Sequence, residues 1–515
     1  MPSITTRKLG YENAKLWRSS LYNSGNNDPV LYVFIGNHVP YANEASPDSI
    51  VDTISDEKSV WDNMYAAKRM TGNDVELVIP RIDWTANTNY RQYDDRVDYS
   101  TLLSANNTTG LQPMYMITSE RNVYLCVSNN SSANSTVEPS GDYTTSNGNI
   151  ATVDGYIWKY MYNVKPFNKF LTADWIPTPT STNQLDYNVS DTGVVDGEIT
   201  AIVVTNSGSN YYNSTVTVSA FTTGCSTLQL ANTTNVAVGM TIAGTGIYTG
   251  TYISSIDTLN SKINISTPVI ANAGGTGNNI TVSTRVDVVG DGSGSVAGIT
   301  LSSGSVEKIT VSVVGTGYSY ANVNIYGSGT GAEARAIIPP KYGHGFNPAN
   351  ELGASNLMAS VRIGEIDSTE GGVISSNTSF RQYGLLINPH KYGENTAVTY
   401  ATANSVVSQT TDLVLVAGSS YTLDEFVYQG NLSSPTFSGY LNAQTSNSVK
   451  ISKVVGEITI GATLIGTTSG VSRTVITETP PEFQPHSGDI VHVENILKTD
   501  REDGQAENIK FVVRF

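Results

Sequence analysis

The sequence is poor in charged residues, and the few it has are mostly acidic. Charged side chains make up 14% of the 515 residues, well below the roughly 25% of a typical soluble domain. The 29 Lys and Arg face 45 Asp and Glu, which gives a net charge of −16. Because an acidic chain repels phosphate backbones, the composition argues against nucleic acid as a partner.

Cysteine and long apolar runs are also scarce. Only Cys126 and Cys225 are present, far apart, so the sequence predicts two reduced thiols and no disulfide framework. No run approaches the about 18 apolar residues that cross a membrane, and the first residues do not resemble a signal peptide. We therefore expect no membrane insertion.

Polar positions are filled instead by Ser, Thr, Asn and 46 Gly, while 29 Tyr and many Val and Ile supply core material. β-branched and aromatic residues favour strands. A chain of 515 residues is too long for one core, since single cores stop growing at about 250–300 residues. We expect a multidomain protein that is mainly β with a minor α component.

Composition alternates along the chain. Segments 1–190, 340–400 and 481–515 have ordinary composition, whereas 191–339 and 401–480 are rich in Gly, Thr and Ser. Short β-branched runs between Gly-rich turns predict sandwich-like or barrel-like domains in these two segments. The simplest interpretation is one core carrying two inserted β domains, because insertions are tolerated where loop ends lie close together.

Within the ordinary segments, a few elements can be predicted. Residues 56–70 show helical spacing of apolar side chains, with Ser55 as a plausible N-cap. Residues 75–79 predict a strand that ends at Pro80, which has no N–H for a ladder. Two more strands are predicted close to the C-terminus, at 490–494 and 509–515.

An internal repeat lies in the first Gly-rich segment. Residues 199–218 and 306–325 align at an offset of 107 residues, which pairs Gly208 with Gly315. Each copy reads as a strand, a Gly turn followed by Tyr, and a second strand, so we predict two similar hairpins.

The tyrosines of this repeat leave two interpretations open. They pin the hairpins through cross-strand pairs, or they present rings to a sugar or a partner subunit. The side chains concerned are Tyr211, Tyr212, Tyr318 and Tyr320.

Arg81 and Asp83 lie two residues apart, followed by Trp84. One interpretation is a protein interface, with the arginine making bidentate contacts and the tryptophan acting as an anchor. The other is an internal ion pair beside a core tryptophan. A similar choice applies to the strand after Asp154 and Gly155, where Tyr156 and Trp158 share a face.

No pattern in the sequence predicts a catalytic or metal site. The grouping of His486, Asp489, His492 and Glu494 matches no standard ligand spacing. The Gly290–Gly294 stretch lacks the alternating acids of a calcium loop and predicts a tight turn. Gly-x-Ser-x-Gly and His-Glu-x-x-His motifs are absent.

Five motifs in the ordinary segments carry a resemblance to a known family. They read V-I-P-R-I-D-W at 78–84, N-V-Y-L-C at 122–126, D-G-Y-I-W-K-Y at 154–160, F-R-Q-Y-G-L-L-I-N-P at 380–389 and S-G-D-I-V-H-V-E-N at 487–495. In this order they resemble the gene-8 baseplate wedge subunit of T-even-like contractile-tailed phages. The resemblance covers about 1–190, 341–399 and 482–515, and not the Gly/Thr-rich segments.

This resemblance implies a structural, non-catalytic subunit of the phage tail baseplate. A member of that family is a homodimer that contacts other wedge proteins, resides in the virion tail and assembles in the host cytoplasm. It implies no cofactor, no metal and no enzymatic activity. The candidate interface or family-motif residues are Arg81, Asp83, Trp84, Tyr156, Trp158, Arg381, Gln382 and Glu494.

Two other function classes stay open. The chain is alternatively a virion surface protein whose inserted β domains bind host glycans. A tail-borne polysaccharide-degrading enzyme is the third class, but a parallel β-helix needs long regular repeats. One hairpin repeated once does not meet that requirement.

Overall fold

The computed structural model describes residues 4–21, 29–104, 110–145, 148–179, 194–273, 278–363, 378–394, 406–502 and 507–515. Within these ranges the protein is mainly β with few helical residues, which confirms the predicted fold class. The α-helices are α1 (Arg7–Ser20), α2 (Ile54–Asn63), α3 (Tyr99–Leu103) and α4 (Pro348–Glu351). None of the helices in this described part is long and apolar enough to span a membrane.

The strands are numbered along the chain. The first group is β1 (Leu31–Gly36), β2 (Met64–Met70), β3 (Val75–Pro80), β4 (Tyr115–Ile117), β5 (Asn122–Ser128), β6 (Asn149–Ala151), β7 (Ile157–Asn163) and β8 (Trp175–Pro177). The second group is β9 (Ala201–Ser209), β10 (Ser214–Thr217), β11 (Thr227–Gln229), β12 (Thr241–Ala243), β13 (Ile253–Asp257), β14 (Lys262–Ile265), β15 (Asn279–Ser283), β16 (Arg285–Gly290), β17 (Ser293–Ser302), β18 (Ser305–Thr316), β19 (Ala321–Tyr326) and β20 (Thr330–Ile337). The third group is β21 (Asn356–Ile363), β22 (Thr378–Ile387), β23 (Val406–Ser408), β24 (Thr411–Leu415), β25 (Phe426–Asn431), β26 (Ser434–Gln444), β27 (Ser448–Gly456), β28 (Thr463–Gly466), β29 (Ser472–Thr479), β30 (Asp489–Arg501) and β31 (Glu507–Arg514).

The chain divides into two compact units. The first comprises Met1–Val78 and Ser355–Phe515, and the second comprises Ile79–Ala354. In the first unit Val78 lies opposite Asn356 on the paired strands β3 and β21. The chain therefore leaves and re-enters the first unit at neighbouring positions, an arrangement that tolerates an inserted unit. The five segments predicted from composition follow a different division, and their boundaries stay predictions.

The first unit is built on a five-stranded antiparallel sheet with the order β23-β2-β1-β22-β30. All six residues of β1 are buried, as expected for a central strand. Tyr32 and Phe34 alternate along β1 and belong to one core cluster with Trp61 of α2. The sheet thus joins strands from the beginning, the middle and the end of the sequence.

The predicted helix over 56–70 is correct only in its first half. Helix α2 ends at Asn63, Met64 has strand dihedral angles, and β2 follows at once. Pairing of β2 along β1, with Ala67 opposite Phe34, overrides the helical periodicity because it satisfies the backbone within the sheet. The N-cap is Thr53, whose hydroxyl accepts the amide of Asp56, and not Ser55.

The second Gly/Thr-rich segment contains a closed six-stranded barrel. Its strands follow the order β24-β27-β26-β25-β28-β29, and β29 pairs back to β24. Closure leaves no unpaired edge to attract other strands. Its core is formed by buried apolar side chains, namely Leu413, Leu415, Tyr421, Val427, Phe437, Leu441, Val449, Ile451, Leu464 and Val475.

The second unit contains a four-stranded sheet, β4-β5-β7-β6, and a six-stranded sheet, β16-β19-β20-β9-β18-β17. Between β10 and β16 the chain forms a small module of two three-stranded sheets, β10-β15-β12 and β11-β14-β13. That module has its own apolar core, which includes Leu228, Met240 and Ile263.

The repeated segments do not fold as the predicted hairpins. In each copy the two strands join different neighbours: β9 pairs with β20 and β18, whereas β10 pairs with β15. The copies instead contact each other, with Ile202 opposite Ile309. The amide of Tyr211 donates to the Gly304 carbonyl at 2.9 Å, and Tyr318 donates to Gly197 at 3.0 Å. These reciprocal bonds relate the copies by a local two-fold arrangement.

Candidate functional site

Arg81 and Asp83 form an ion pair with each other within the second unit. The Arg81 Nε lies 3.0 Å from Asp83 Oδ1, and one terminal nitrogen lies 2.9 Å from the same oxygen. Another terminal nitrogen donates to the Thr172 carbonyl at 2.8 Å. The side chains are 28% and 58% exposed, so the pair lies at the surface of the unit. The sequence offered this internal pair and an interface as alternatives.

Trp84 connects this turn to the Asp154 motif. Its indole Nε1 donates to Ser135 Oγ at 3.2 Å, and that hydroxyl lies 3.3 Å from Asp154 Oδ2. The Trp84 side chain is half-buried. A series of hydrogen bonds through Ser135 therefore connects two motifs that are about seventy residues apart in the sequence.

Asp154 organises the loop around it. Its carboxylate accepts the amides of Thr136 and Val137 at 2.7 and 3.1 Å. Burial acts to raise the pKa of Asp154, but the Thr152 hydroxyl and the surrounding amides lower it below the ordinary value. The aspartate is thus held ionised as a structural acceptor.

Tyr156 and Trp158 lie in the core of the second unit. Both are fully buried, and their rings stack at 5.3 Å with an interplanar angle of 17°. The Tyr156 hydroxyl donates to the Ala133 carbonyl at 2.5 Å, and Tyr90 packs edge-on against Trp158. Core packing and an interface were the two interpretations of these aromatic residues, and in the structure they pack in the core of the unit.

Arg381 is the most enclosed of the candidate side chains that carry a charge. Only 3% of it is exposed, and it lies in the first unit. Its Nε contacts both carboxylate oxygens of Glu44 at 3.0 Å, and a terminal nitrogen donates to the His38 carbonyl at 2.7 Å. The arginine lowers the pKa of Glu44.

Gln382 and Glu494 are brought together by the pairing of β22 with β30. Gln382 lies opposite Asn495, and its Nε2 donates to that side chain at 2.8 Å. Tyr383 lies opposite Glu494 and donates its hydroxyl to the carboxylate. The F-R-Q and E-N motifs are therefore adjacent strands, although about a hundred residues separate them in the sequence.

The acidic and histidine side chains near the C-terminus do not converge. His486 lies 3.2 Å from Asp62, while His492 lies 4.0 Å from Glu494 and stacks on Phe511. In the part of the chain that the structure describes, no group of three or more His, Cys, Asp or Glu is placed to hold a metal ion.

The repeat tyrosines divide into two kinds. Tyr211 and Tyr318 are 4% exposed, and each ring lies against glycines where a side chain would collide, such as Gly329 and Gly292. Their neighbours in the sequence, Tyr212 and Tyr320, are exposed. The first two rings therefore hold the turns together, and only the second two face solvent.

A buried ionisable cluster in the second unit was not predicted from the sequence. His344 Nδ1 lies 2.5 Å from Glu351 Oε1, and the second carboxylate oxygen accepts the Gly345 amide. The buried Glu198 carboxylate has no hydrogen-bond partner among the described residues. Burial raises the pKa of Glu198, and burial lowers the pKa of Lys159 although Glu198 opposes this.

One signal pointed to that cluster. Lys159 lies between Ile157 and Met161 on one face of a strand that the sequence predicts to be buried on both faces. A lysine in such a position needs a counter-charge. The sequence contains no indication that Glu198, some forty residues away, would supply it.

Comparison with known proteins adds no family to this description. Neither the protein-family models nor the curated proteins contain a match to this chain.

Proposed function

We propose that the protein is a structural subunit of a contractile-tail baseplate wedge. One observation carries this proposal. Motif segments that resemble the gene-8 wedge family are dispersed in the sequence, yet within each unit they are neighbouring strands. A set of ordered motifs that meet as paired strands of a fold is what a shared structural framework requires.

In the first unit, most of the F-R-Q-Y-G-L-L-I-N-P motif lies on β22 and most of the S-G-D-I-V-H-V-E-N motif lies on β30, and β22 also pairs with β1. Gly36 lies opposite Gln382, and Gln382 lies opposite Asn495. The motif side chains at these positions bond to one another or to nearby backbone. They thereby determine the fold of the sheet and leave partner contacts to other surfaces.

In the second unit, the V-Y-L-C and D-G-Y-I-W-K-Y motifs lie on the paired strands β5 and β7. Cys126 is opposite Trp158, and Tyr124 is opposite Tyr160. Residues of the V-I-P-R-I-D-W motif join the same group, because Trp84 donates its amide to the Ile117 carbonyl. This arrangement supports one framework role for the three motifs.

The added β modules give the scaffold its extra surface. Strand β17 has alternating half-buried and exposed side chains after its first residue, and none of its ten residues is charged. Such neutral surfaces form interfaces through shape and hydrogen bonds, with little desolvation of charge. We propose that they contact neighbouring wedge proteins and a second copy of the chain.

Cross-linking with mass spectrometry on purified tailed particles tests this proposal. We expect the chain to be present in the baseplate fraction, as a dimer, with cross-links to other wedge proteins. A chain that is monomeric and absent from purified tails would contradict it. Particles from a virus with a stop codon early in this gene serve as the control.

A further inference from the structure

The second unit contains a cavity that the proposed structural role does not use. It has a volume of about 970 Å³ and lies between two parts of the unit. One wall is formed by α3, by residues on either side of it, and by the end of β5 with the loop that follows, and the other wall by β9 and β18. Cavities of this size commonly hold small organic ligands.

Arg91 provides an unused positive charge in this wall. One terminal nitrogen of its guanidinium is buried, and it has no hydrogen-bond partner among the described residues. The neighbouring Asp94 does not compensate, since it is paired with Arg335, which also contacts Asp95 at 2.9 Å. Arg91 as a whole is half-buried and lines the cavity, and a guanidinium nitrogen without an acceptor favours an anionic ligand that supplies one.

The cavity suits a single negative charge better than a phosphate. The second cation in its wall, Lys308, donates to the Asn130 side chain at 3.2 Å. Asp94 and Glu307 also line the cavity and repel a doubly charged group. A carboxylate, planar and singly charged, matches the fork of Arg91.

Hydroxyl groups make up much of the remaining polar lining. Four of these side chains form no hydrogen bond within the described chain, so their donors and acceptors are available to a ligand. They are Thr101, Ser128, Ser131 and Ser207.

The loop that carries Ser131 is held in a left-handed conformation from Asn130 to Ser132, with φ of 50°, 57° and 66°. Consecutive non-glycine residues in this region are a conformation found at ligand sites.

The lining favours a sugar over a peptide. Surfaces that bind proteins or peptides are enriched in aromatic residues compared with the rest of a protein surface. The aromatic ring in this lining, Tyr93, is only 3% exposed and packs on His344 at 4.6 Å. Available hydroxyls, with apolar neighbours such as Val97 and Val204, instead match the alternating O–H and C–H faces of a sugar ring.

We infer that this cavity binds an acidic sugar, with the ligand carboxylate on the Arg91 guanidinium and the ligand hydroxyls on the serine and threonine side chains. This ligand site lies outside the strands that carry the proposed framework role. Its test is therefore independent of whether the protein is a wedge subunit.

Calorimetric titration of the full chain tests the inference. The probes are D-glucuronate, D-galacturonate and their di- to tetrasaccharides, with the neutral glucose series for comparison. We expect saturable binding of at least one uronate and a Kd that is at least about tenfold weaker for Arg91→Gln. Lys308→Gln removes the other positive charge of the lining and is expected to weaken binding of the anionic ligand by a smaller factor. If Arg91→Gln does not fold, equal Kd values for Lys308→Gln and the unmodified chain overturn the inference.

Arg96→Gln is the matched control, because Arg96 is exposed, close in sequence and not part of the cavity lining. It is expected to bind like the unmodified chain. The inference is overturned if no uronate binds saturably, or if Arg96→Gln weakens binding as much as Arg91→Gln. A tri-glutamate peptide that binds more tightly than every uronate would overturn it in favour of a peptide site.

Discussion

Arg81 and Arg381 make similar ion pairs in different surroundings. Each arginine also donates to a backbone carbonyl, but Arg81 is 28% exposed in its pair with Asp83, whereas Arg381 is 3% exposed. Surface pairs contribute little, while removal of a buried partner leaves polar groups unsatisfied. We expect Arg381→Ala to lower the free energy of unfolding by about 2–4 kcal/mol. Arg81→Ala should cost less than about 1 kcal/mol.

Urea unfolding of both variants, followed by near- and far-ultraviolet circular dichroism, measures the difference. Equal costs for the two arginines would contradict the assignment of Arg381 to a structural role. A large loss of particle assembly with Arg81→Ala, at unchanged stability, would favour the interface interpretation of the Arg81 turn.

His38 makes the stability of the first unit depend on pH. Burial, then Lys453 and Arg381, lower the pKa of His38 to about 4 from an ordinary value near 6.5. Its Nδ1 lies 3.2 Å from Ser452 of the barrel. Because the folded state disfavours the protonated ring, the contribution of neutral His38 to the free energy of unfolding is fully present above pH 6.5. It decreases as the pH falls from 6.5 to about 4, by up to about 3 kcal/mol.

The His38→Gln variant isolates this effect. Its unfolding free energy should fall less between pH 6.5 and 4 than that of the unmodified chain, because glutamine does not titrate. His486→Gln, at an exposed position, should keep the full pH dependence. Parallel curves for His38→Gln and the unmodified chain would disprove the role of His38.

Single residues show the limit of what the sequence predicts. The burial of Tyr156 and Trp158 follows from the alternation of aromatic residues along one strand. The partners of Arg381 do not follow, because Glu44 is over three hundred residues away and only the pairing of β1 with β22 brings it near. The free guanidinium nitrogen of Arg91 has no sequence signal at all.

At the scale of elements, the Gly turns of the repeat bring strands close together. Gly315 has a φ of 66°, and a Cβ there would lie 2.6 Å from the Ser295 amide nitrogen. Gly294 has a similar φ of 83°, but its nearest atom would be 3.8 Å away. We expect Gly294→Ala to cost about 1–2 kcal/mol from the dihedral alone. Gly315→Ala should cost clearly more, because backbone must also move.

Thermal unfolding of the two glycine variants checks this prediction. At the equivalent position in the other copy, Gly208, a Cβ would lie 2.5 Å from the Ala332 amide nitrogen. Gly208→Ala should therefore behave like Gly315→Ala. If all three variants were equally stable, close strand approach would not explain these glycines.

The barrel is expected to fold on its own. Its first and last strands are neighbours, with Asp412 opposite Thr479, so a fragment of residues 409–481 keeps every barrel pairing. Phe437 is 1% exposed in its core, and Phe437→Ala should cost about 3–5 kcal/mol and unfold this small domain. Val455→Ala, at an exposed site, should have little effect. Amide dispersion in a proton–nitrogen NMR spectrum distinguishes the outcomes.

Elements were predictable where the pattern was local. The predicted strands at 75–79 and 490–494 are confirmed as parts of β3 and β30, and the one at 509–515 is confirmed as β31, which ends one residue earlier at Arg514. The second half of the predicted helix failed because β2 is stabilised by a neighbour distant in sequence. The predicted hairpins failed for the same reason, since β9 pairs with β18 of the other copy and β10 pairs with β15.

At the scale of the whole molecule, the chain is one unit interrupted by another. The interruption at Val78 and Ser355 falls between paired strands, and no change of composition marks it. Composition reveals Gly/Thr-rich stretches but not which residues pack together, which is why the predicted segments and the two units divide the chain differently. The candidate motifs were visible in the sequence, whereas their pairing required the fold.

The most direct test of the structural role is a cryo-EM reconstruction of the baseplate of the particle that carries this gene. We predict density for both units of the chain within each wedge, present in two copies, with the added β modules touching neighbouring subunits. A complete baseplate reconstruction in which this chain has no density would contradict the account.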